Sequence, residues 1–220
     1  MVAKDFRKHI ESGQKVLLDG GIGTELYERG VFVNRCFEEA NLSQARLVQE
    51  IHKDYWQAGA QALTTNTFGA NRLKLKDHNL QDKVREINLA AVKNINEVSQ
   101  GDAWIVGSIG PLGVRVEPFG PTSLEEAKEV FYEHASALIE AGVDLISLET
   151  FVDLSELKQA ILAVRQASSD VYLSASIAIN EDGKSLQGSS VEWLVRKLDS
   201  WDCDALGFNC AVGPQPMLTA

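Results

Sequence analysis

The sequence predicts an α/β fold, a (β/α)8 barrel of which the chain carries about the first six β/α units, and three observations lead there. Short apolar runs alternate strictly with longer stretches whose apolar residues recur at helical spacing. Parallel neighbours need a long crossover and helices must cover the sheet faces, so this alternation means a parallel sheet with right-handed connections. Each run also ends in a polar residue at the same relative place: Asp19, Thr65 with Asn66, Ser108, Glu149, Ser176, and Asn209 with Cys210. A barrel builds its site from such a ring of strand ends, whereas an open doubly wound sheet concentrates them at one switch point.

Val16-Leu17-Leu18-Asp19 reads as a first strand that enters a tight glycine loop, Gly20-Gly21-Ile22-Gly23-Thr24. A dinucleotide fingerprint fails there, because Leu26 stands where the third glycine of GxGxxG belongs. A helix follows with Leu47, Val48, Ile51, Tyr55 and Ala58 on one face, Ser43 as its N-cap and Gly59 as its stop. Ala62-Leu63-Thr64-Thr65 is the second strand, and the next helix turns Val84, Ile87, Ala91, Ile95 and Val98 inward. Trp104 to Ser108 is the third strand. Ser123-Leu124-Glu125-Glu126 is a capping box that opens a helix closed by Gly142. Leu145-Ile146-Ser147-Leu148 is the fourth strand, and Asp153-Leu154-Ser155-Glu156 repeats the capping logic before a helix with Leu157, Ile161 and Val164 inward. Val171 to Ser176 is the fifth strand. Ser189 and Glu192 start a helix with Val191, Leu194, Val195 and Leu198 inward, and Ala205 to Phe208 is the sixth strand. A further helix is expected after Gly213-Pro214. Six strands do not close an eight-stranded barrel, so residues 1–220 read as the front part of a longer barrel domain.

Composition narrows the function. With 220 residues, 45% of them hydrophobic, the chain can bury one sizeable core. A formal charge of -10 repels a phosphate backbone, so nucleic acid is not an expected partner. The N-terminus, Met1-Val2-Ala3-Lys4-Asp5, carries no hydrophobic secretory core and no run has membrane-spanning length, so the expected location is cytoplasmic, away from membranes. Three cysteines without a CxxC argue against a disulfide framework.

Several blocks of this chain, Leu18-Asp19-Gly20-Gly21-Ile22-Gly23-Thr24-Glu25-Leu26, Thr65-Asn66-Thr67-Phe68-Gly69-Ala70-Asn71, Ser108-Ile109-Gly110-Pro111, Asp144 to Thr150 and Gly207-Phe208-Asn209-Cys210, occur in an order that resembles the homocysteine S-methyltransferase family. That family includes betaine-homocysteine methyltransferase and the homocysteine-binding module of cobalamin-dependent methionine synthase. The stretch Asn34-Arg35-Cys36-Phe37-Glu38-Glu39 is similar to bacterial proteins that fuse this module to a C-terminal methylenetetrahydrofolate reductase domain. The resemblance implies a TIM-type barrel that moves a methyl group to the thiol of homocysteine, making methionine. It also implies zinc held by three cysteine thiolates, one from a GxNC motif, which Cys210 matches, and two from a GGCC motif with no counterpart here. Asp19 and Glu149 match positions that bind the substrate amino group. Asn66 and Ser108 join them as substrate-binding candidates, with loop ordering as the blander role. The methyl donor is left open among methylfolate, betaine and S-methylmethionine.

The chemistry explains the metal. A free thiol has a pKa of ~8.5 and the thiolate is the nucleophile, so coordination to zinc, which deprotonates the thiol, removes the obstacle at neutral pH. In that reading Cys210 is a metal ligand, and no catalytic residue beyond it is expected. Two alternatives stay open. One is a non-catalytic amino-acid-binding barrel fragment or pseudoenzyme without metal. The other is an unrelated barrel hydrolase or lyase with Asp19 and Glu149 as acid and base. No predicted strand ends in lysine, which counts against a Schiff-base aldolase. Cys36 and Cys203 read as structural, the four histidines as surface or packing residues, and the four tryptophans as packing residues.

Overall fold

The computed structural model describes residues 5–219, so Met1 to Lys4 of the N-terminal reading and Ala220 lie outside them. Five parallel strands form one sheet in the order β1-β2-β3-β4-β5: β1 (Ala62–Thr64), β2 (Trp104–Ile109), β3 (Leu145–Phe151), β4 (Tyr172–Ile177) and β5 (Ala205–Phe208). Strand order equal to chain order has no switch point. It is the order of a barrel wall rather than of a doubly wound sheet.

The helices between the strands are α4 (Ala45–Gln57) before β1, α6 (Val84–Ser99), α7 (Leu124–Ala141), α8 (Leu154–Ala167) and α9 (Val191–Asp199). Successive helices α4, α6, α7 and α8 pack on one another and on the strands they connect. Strand alternation then divides the sheet. Leu63, Ile105, Ile146, Leu148, Leu173, Ala175 and Ile177 point to the helices and share one core with Phe131, Leu138, Leu157, Ile161 and Val164. Full burial of side chains of this size stabilises the fold by about 1.5–3 kcal/mol each.

The opposite, concave face has an apolar floor and a polar top. Ala62, Trp104, Val106 and Leu145, with Tyr172 beside them, form the floor, and Phe6 of the short helix α1 (Phe6–Glu11) plugs it from below. The Phe6 ring stands edge-on to Trp104 at 5.6 Å and to Tyr172 at 5.0 Å. Asp204, at the entry to β5, ties this end together by accepting from Leu173 N at 2.8 Å, Arg165 Nη2 at 2.8 Å and Arg7 Nη1 at 2.5 Å. Two residues further along the strands, Ser108, Ser147 and Ser174 make a polar row, followed by Ser176 opposite Gly207. A Cβ on Gly207 would lie 2.8 Å from Ser176 Oγ, so a side chain there would displace the Ser176 hydroxyl.

Several sequence expectations need correction. The first predicted strand is a single bridge, Leu18 to Ala62, so five strands stand where six were expected. Its Leu17 and Leu18 are exposed, and among the described residues β1 is the only segment it pairs with. The glycine loop is shorter than expected, because Ile22–Glu28 coils into a helix, α2, with Gly21 as N-cap. Ser43 ends a short helix, α3 (Ala40–Ser43), and Gln44 stands at the N-terminal boundary of α4 without a side-chain capping bond. Ser190 rather than Ser189 caps α9, accepting from Trp193 N at 3.4 Å. On that helix Leu194 and Leu198 point inward, while Val195 and Trp193, about 100° and further round, are exposed. Ser123 and Gly142 bound α7 as the sequence requires, with Gly142 in the left-handed conformation. Two short helices, α5 (Arg72–Lys76) and α10 (Pro214–Thr219), complete the described chain, the latter where a helix was expected.

Candidate functional site

Parallel pairing brings the C-terminal ends of the strands to one face, and the residue after the Leu18 bridge joins them. Asp19 there accepts two hydrogen bonds from the end of β1, from Thr64 N at 2.8 Å and Thr64 Oγ1 at 2.6 Å. Its carboxylate is thus fixed by the neighbouring strand, not by the glycine loop that follows it. Burial pushes its pKa up to about 6 against those two bonds, and the charge of Glu149 adds to the shift.

Glu149 lies in β3, where its Oε1 accepts from the hydroxyl of Ser108 on β2. Burial raises this carboxyl as well, and the Ser108 bond offsets part of the shift. Two half-buried carboxyls, close enough to feel each other and both resisting ionisation, make a place that a cation relieves.

The backbone at Glu149 is irregular for a visible reason. Between the pairs Leu148–Ala175 and Phe151–Ile177, β3 carries one residue more than β4, a bulge. Thr150 absorbs it with φ +63°, a conformation rare for a β-branched residue. Asn209 locks the bulge across the sheet: its Oδ1 accepts from Thr150 N at 2.8 Å and its Nδ2 donates to Thr150 Oγ1 at 2.8 Å. Cys210 and Ala211 follow with φ +59° and +62°, so three strained non-glycine residues meet at this one junction. Strain of this kind gathers at functional sites, where the surroundings over-determine it.

The strain presents a thiol. Cys210 is exposed, and its Sγ accepts from Thr150 Oγ1 at 3.4 Å and from Asn209 Nδ2 at 3.5 Å. Thr150 is therefore the covalent neighbour of Glu149 and the hydrogen-bond neighbour of Cys210. Among the described residues no group of three or more His, Cys, Asp or Glu side chains is placed to hold a metal ion. Cys210 supplies one soft donor, which fits one coordination position and not a whole tri-thiolate site.

The remaining sequence candidates order the scaffold. Asn66 is buried, its side-chain Nδ2 donates to Phe37 O at 2.6 Å and so holds the loop before α3, and its backbone carbonyl accepts from Asn41 Nδ2 at 2.7 Å. Ser108 N donates to Thr65 Oγ1 at 3.0 Å, Thr67 Oγ1 donates to Ser108 O at 2.8 Å, and the Thr65 and Thr67 hydroxyls bond to each other at 2.6 Å. Through this buried net Ser108 aims its hydroxyl at Glu149. Cys36 and Cys203 are half-buried, and burial pushes their thiols up to about 12 and about 11, which suits inert residues. His52 and His134 are wholly buried in α4 and α7 and held neutral there by burial. A concavity of about 760 Å³ lies elsewhere, among Phe32, Arg35, Cys36 and His78, and none of the strand-end residues lines it.

Sequence reasoning missed Thr64 and Thr150. Thr65 drew attention as the last residue of an apolar run, yet strand alternation gives the concave face to Thr64, two places on from Ala62 in the floor. For Thr150 no sequence signal exists, because the bulge arises only when β3 is laid against β4.

Comparisons with known proteins bear on the fold and the family. The methionine synthases of Mycobacterium leprae (strain TN) and Mycobacterium tuberculosis (strain ATCC 25618 / H37Rv) are each 29% identical over 221 residues. The alignment takes in 93% of this chain but spans only 18% of the length of either relative. The crystal structure of the apo form of the homocysteine methyltransferase MmuM from Escherichia coli superposes with a TM-score of 0.73 at 24% identity, over 96% of this chain and 77% of that one. The metallated form of the same enzyme gives 0.69 at 18% identity, over 96% of both chains. At these identities the likeness is one of fold, and it makes the five-stranded wall part of a (β/α)8 barrel. The profile of the homocysteine S-methyltransferase family matches residues 16–220, from the Leu18 bridge through Cys210, and the chain belongs to that family.

Proposed function

We propose that this chain binds homocysteine at the strand-end face and takes part in transferring a methyl group to its sulfur, forming methionine. The observation that carries the reading is the junction of Glu149, Thr150, Asn209 and Cys210, which sets an exposed thiol beside a pair of carboxyls that burial makes reluctant to ionise and that no Lys or Arg among the described residues pairs with. Homocysteine has the matching groups, an ammonium and a thiol on one short chain. Asp19 and Glu149 would hold the ammonium, with Thr64 and Ser108 fixing the two carboxyls in place. Holding one end leaves the sulfur few orientations, and positioning of this kind is a large part of the rate of a two-substrate displacement. Cys210 would give one thiolate to a zinc ion, which when bound supplies deprotonation of the substrate thiol. The donor would be methylfolate, betaine or S-methylmethionine, presented from the open side of the face.

The test is methionine formation with each donor, read together with zinc content, for the wild type and Cys210→Ala. Joint loss of metal and activity in the variant supports the reading. Activity that survives Cys210→Ala points to acid–base chemistry by Asp19 and Glu149, and overturns it.

A second reading is an amino-acid-binding barrel that works without metal, favoured by the single cysteine at the strand-end junction and by the lack, among the described residues, of a group of three metal-ligating side chains. It predicts that homocysteine and methionine bind alike and that a chelator changes neither affinity.

A further inference from the structure

We propose that a second cavity on the strand-end side, of about 330 Å³, binds an organic cation carrying an apolar body, with Glu156 as its counter-ion. Three connections and a helix start build it: β2 to α7 gives Val114 and Phe119, β3 to α8 gives Val152, the first turn of α8 gives Glu156, and β4 to α9 gives Leu186. Glu156 was expected to serve the cap of α8. Instead its Oε1 reaches across to accept from Leu112 N at 2.7 Å, while Asp153 alone caps the helix, accepting from Ser155 N at 2.7 Å and Glu156 N at 3.0 Å.

Two independent features ask for a ligand. The first is Glu156 itself, a carboxyl with 4% of its surface exposed that lines the cavity and spends one oxygen on Leu112. Burial pushes its pKa up to about 7, a sign that its charge is poorly compensated. The second is the rim: Val114, Phe119 and Leu186 are 42%, 69% and 62% exposed, from two different loops around one opening. Large apolar side chains gathered around a concavity mark a binding site more often than those scattered singly.

The class of ligand follows from what the cavity rejects. A neutral apolar molecule would bury its body against Val114, Phe119, Val152 and Leu186 but strip water from a carboxylate oxygen without replacing it, which costs about 1–3 kcal/mol. An anion would meet Glu156 and Asp153 together. A cation covers the walls with its apolar part, bonds to the free carboxylate oxygen and can lie against the Phe119 ring. The charged groups around Glu156 are Asp153 at the N-cap of α8, Lys74 on α5 and the exposed Arg115 on the rim, with His134 on α7 held neutral by burial and by the charge of Lys74. Lys74 acts on Glu156 through its charge and, among the described residues, forms no ion pair with it within 4 Å.

The site is tested without homocysteine, so its failure is distinct from failure of the methyl-transfer reading. Phenethylammonium, 2-phenylethanol and 3-phenylpropionate, alike in body but cationic, neutral and anionic, are titrated against the protein while the methyl resonances of Val114, Val152 and Leu186 are followed. The expected result is tenfold or stronger preference for the ammonium over the alcohol, increasing from pH 6 to pH 8 as Glu156 loses its proton. Glu156→Gln, whose amide oxygen can still accept from Leu112 N, should abolish that preference. Leu186→Ala, on an exposed loop, should weaken both ligands. The preference should persist in Asp19→Asn/Glu149→Gln. Equal binding of ammonium and alcohol, binding of none of the three, or loss of the preference in the Asp19/Glu149 variant would overturn the proposal.

Discussion

Asn209 holds Thr150 by both ends of its amide, accepting from the backbone N–H and donating to the side-chain hydroxyl, each at 2.8 Å. The pair joins the tip of β5 to the bulge of β3 across β4, and so fixes where Cys210 stands relative to Glu149. Asn209→Ala leaves the Thr150 N–H without its acceptor in a half-buried place, a loss of about 1–2 kcal/mol. Urea unfolding should show a lower midpoint with an unchanged slope. An unaltered midpoint would mean that the clamp contributes nothing to stability.

Thr150 separates strain from hydrogen bonding. A β-branched residue at φ +63° costs roughly 1–2 kcal/mol relative to a residue free to adopt that conformation. Thr150→Val keeps the strain and loses the hydroxyl that serves Asn209 and Cys210, so it should be destabilised by about 1 kcal/mol. Thr150→Gly loses the same hydroxyl but relieves the strain, and its unfolding midpoint should lie above that of the valine variant. The reverse order would show that the bulge is not strained.

Three carboxyls with shifted pKa values shape the pH dependence of stability. Glu156 titrates near 4.5 in the unfolded chain and about 7 in the folded one, so between those values the folded state holds the extra proton. Its contribution is fully present below pH 4.5 and is lost as the pH rises through 7. Asp19 behaves the same way between 3.8 and about 6. Asp204 is opposite: its two arginine partners and the Leu173 N–H hold it down at about 2, so its contribution is present above 3.8 and is lost as the pH falls through 2. Glu156→Gln should therefore flatten the decline in stability between pH 4.5 and 7 and exceed the wild type at pH 8, by an amount on the order of 3 kcal/mol. Parallel pH profiles for the two proteins would show that Glu156 is not desolvated.

The sequence made the wall of the barrel legible because period-2 and period-3.6 patterns change over cleanly, and strands β2 to β5 lie where their apolar runs lie. It made Glu149 legible because a carboxyl directly after a buried run has to be held by something, and Asp19 because it stands at the start of the glycine loop in a block that resembles the family's. What holds them was hidden. Thr64 and Thr65 are adjacent and alike, and only the register with Val106 decides which one faces Asp19. The Thr150 bulge depends on β4, and the role of Glu156 depends on a backbone N–H 44 positions away in sequence. The Val16 to Asp19 run reads as a strand, yet forms one bridge, Leu18 to Ala62, with Leu17 and Leu18 exposed.

The claim on which the rest depends is that Asp19 and Glu149 form one seat for the substrate ammonium beside Cys210. Calorimetric titration of L-homocysteine into the wild type and into Asp19→Asn/Glu149→Gln, with circular dichroism as the check on folding, tests it most directly. The expected result is affinity at least tenfold weaker in the variant, and wild-type affinity that strengthens as the pH rises through 6 and Asp19 ionises. Equal affinity in two equally folded proteins would contradict it.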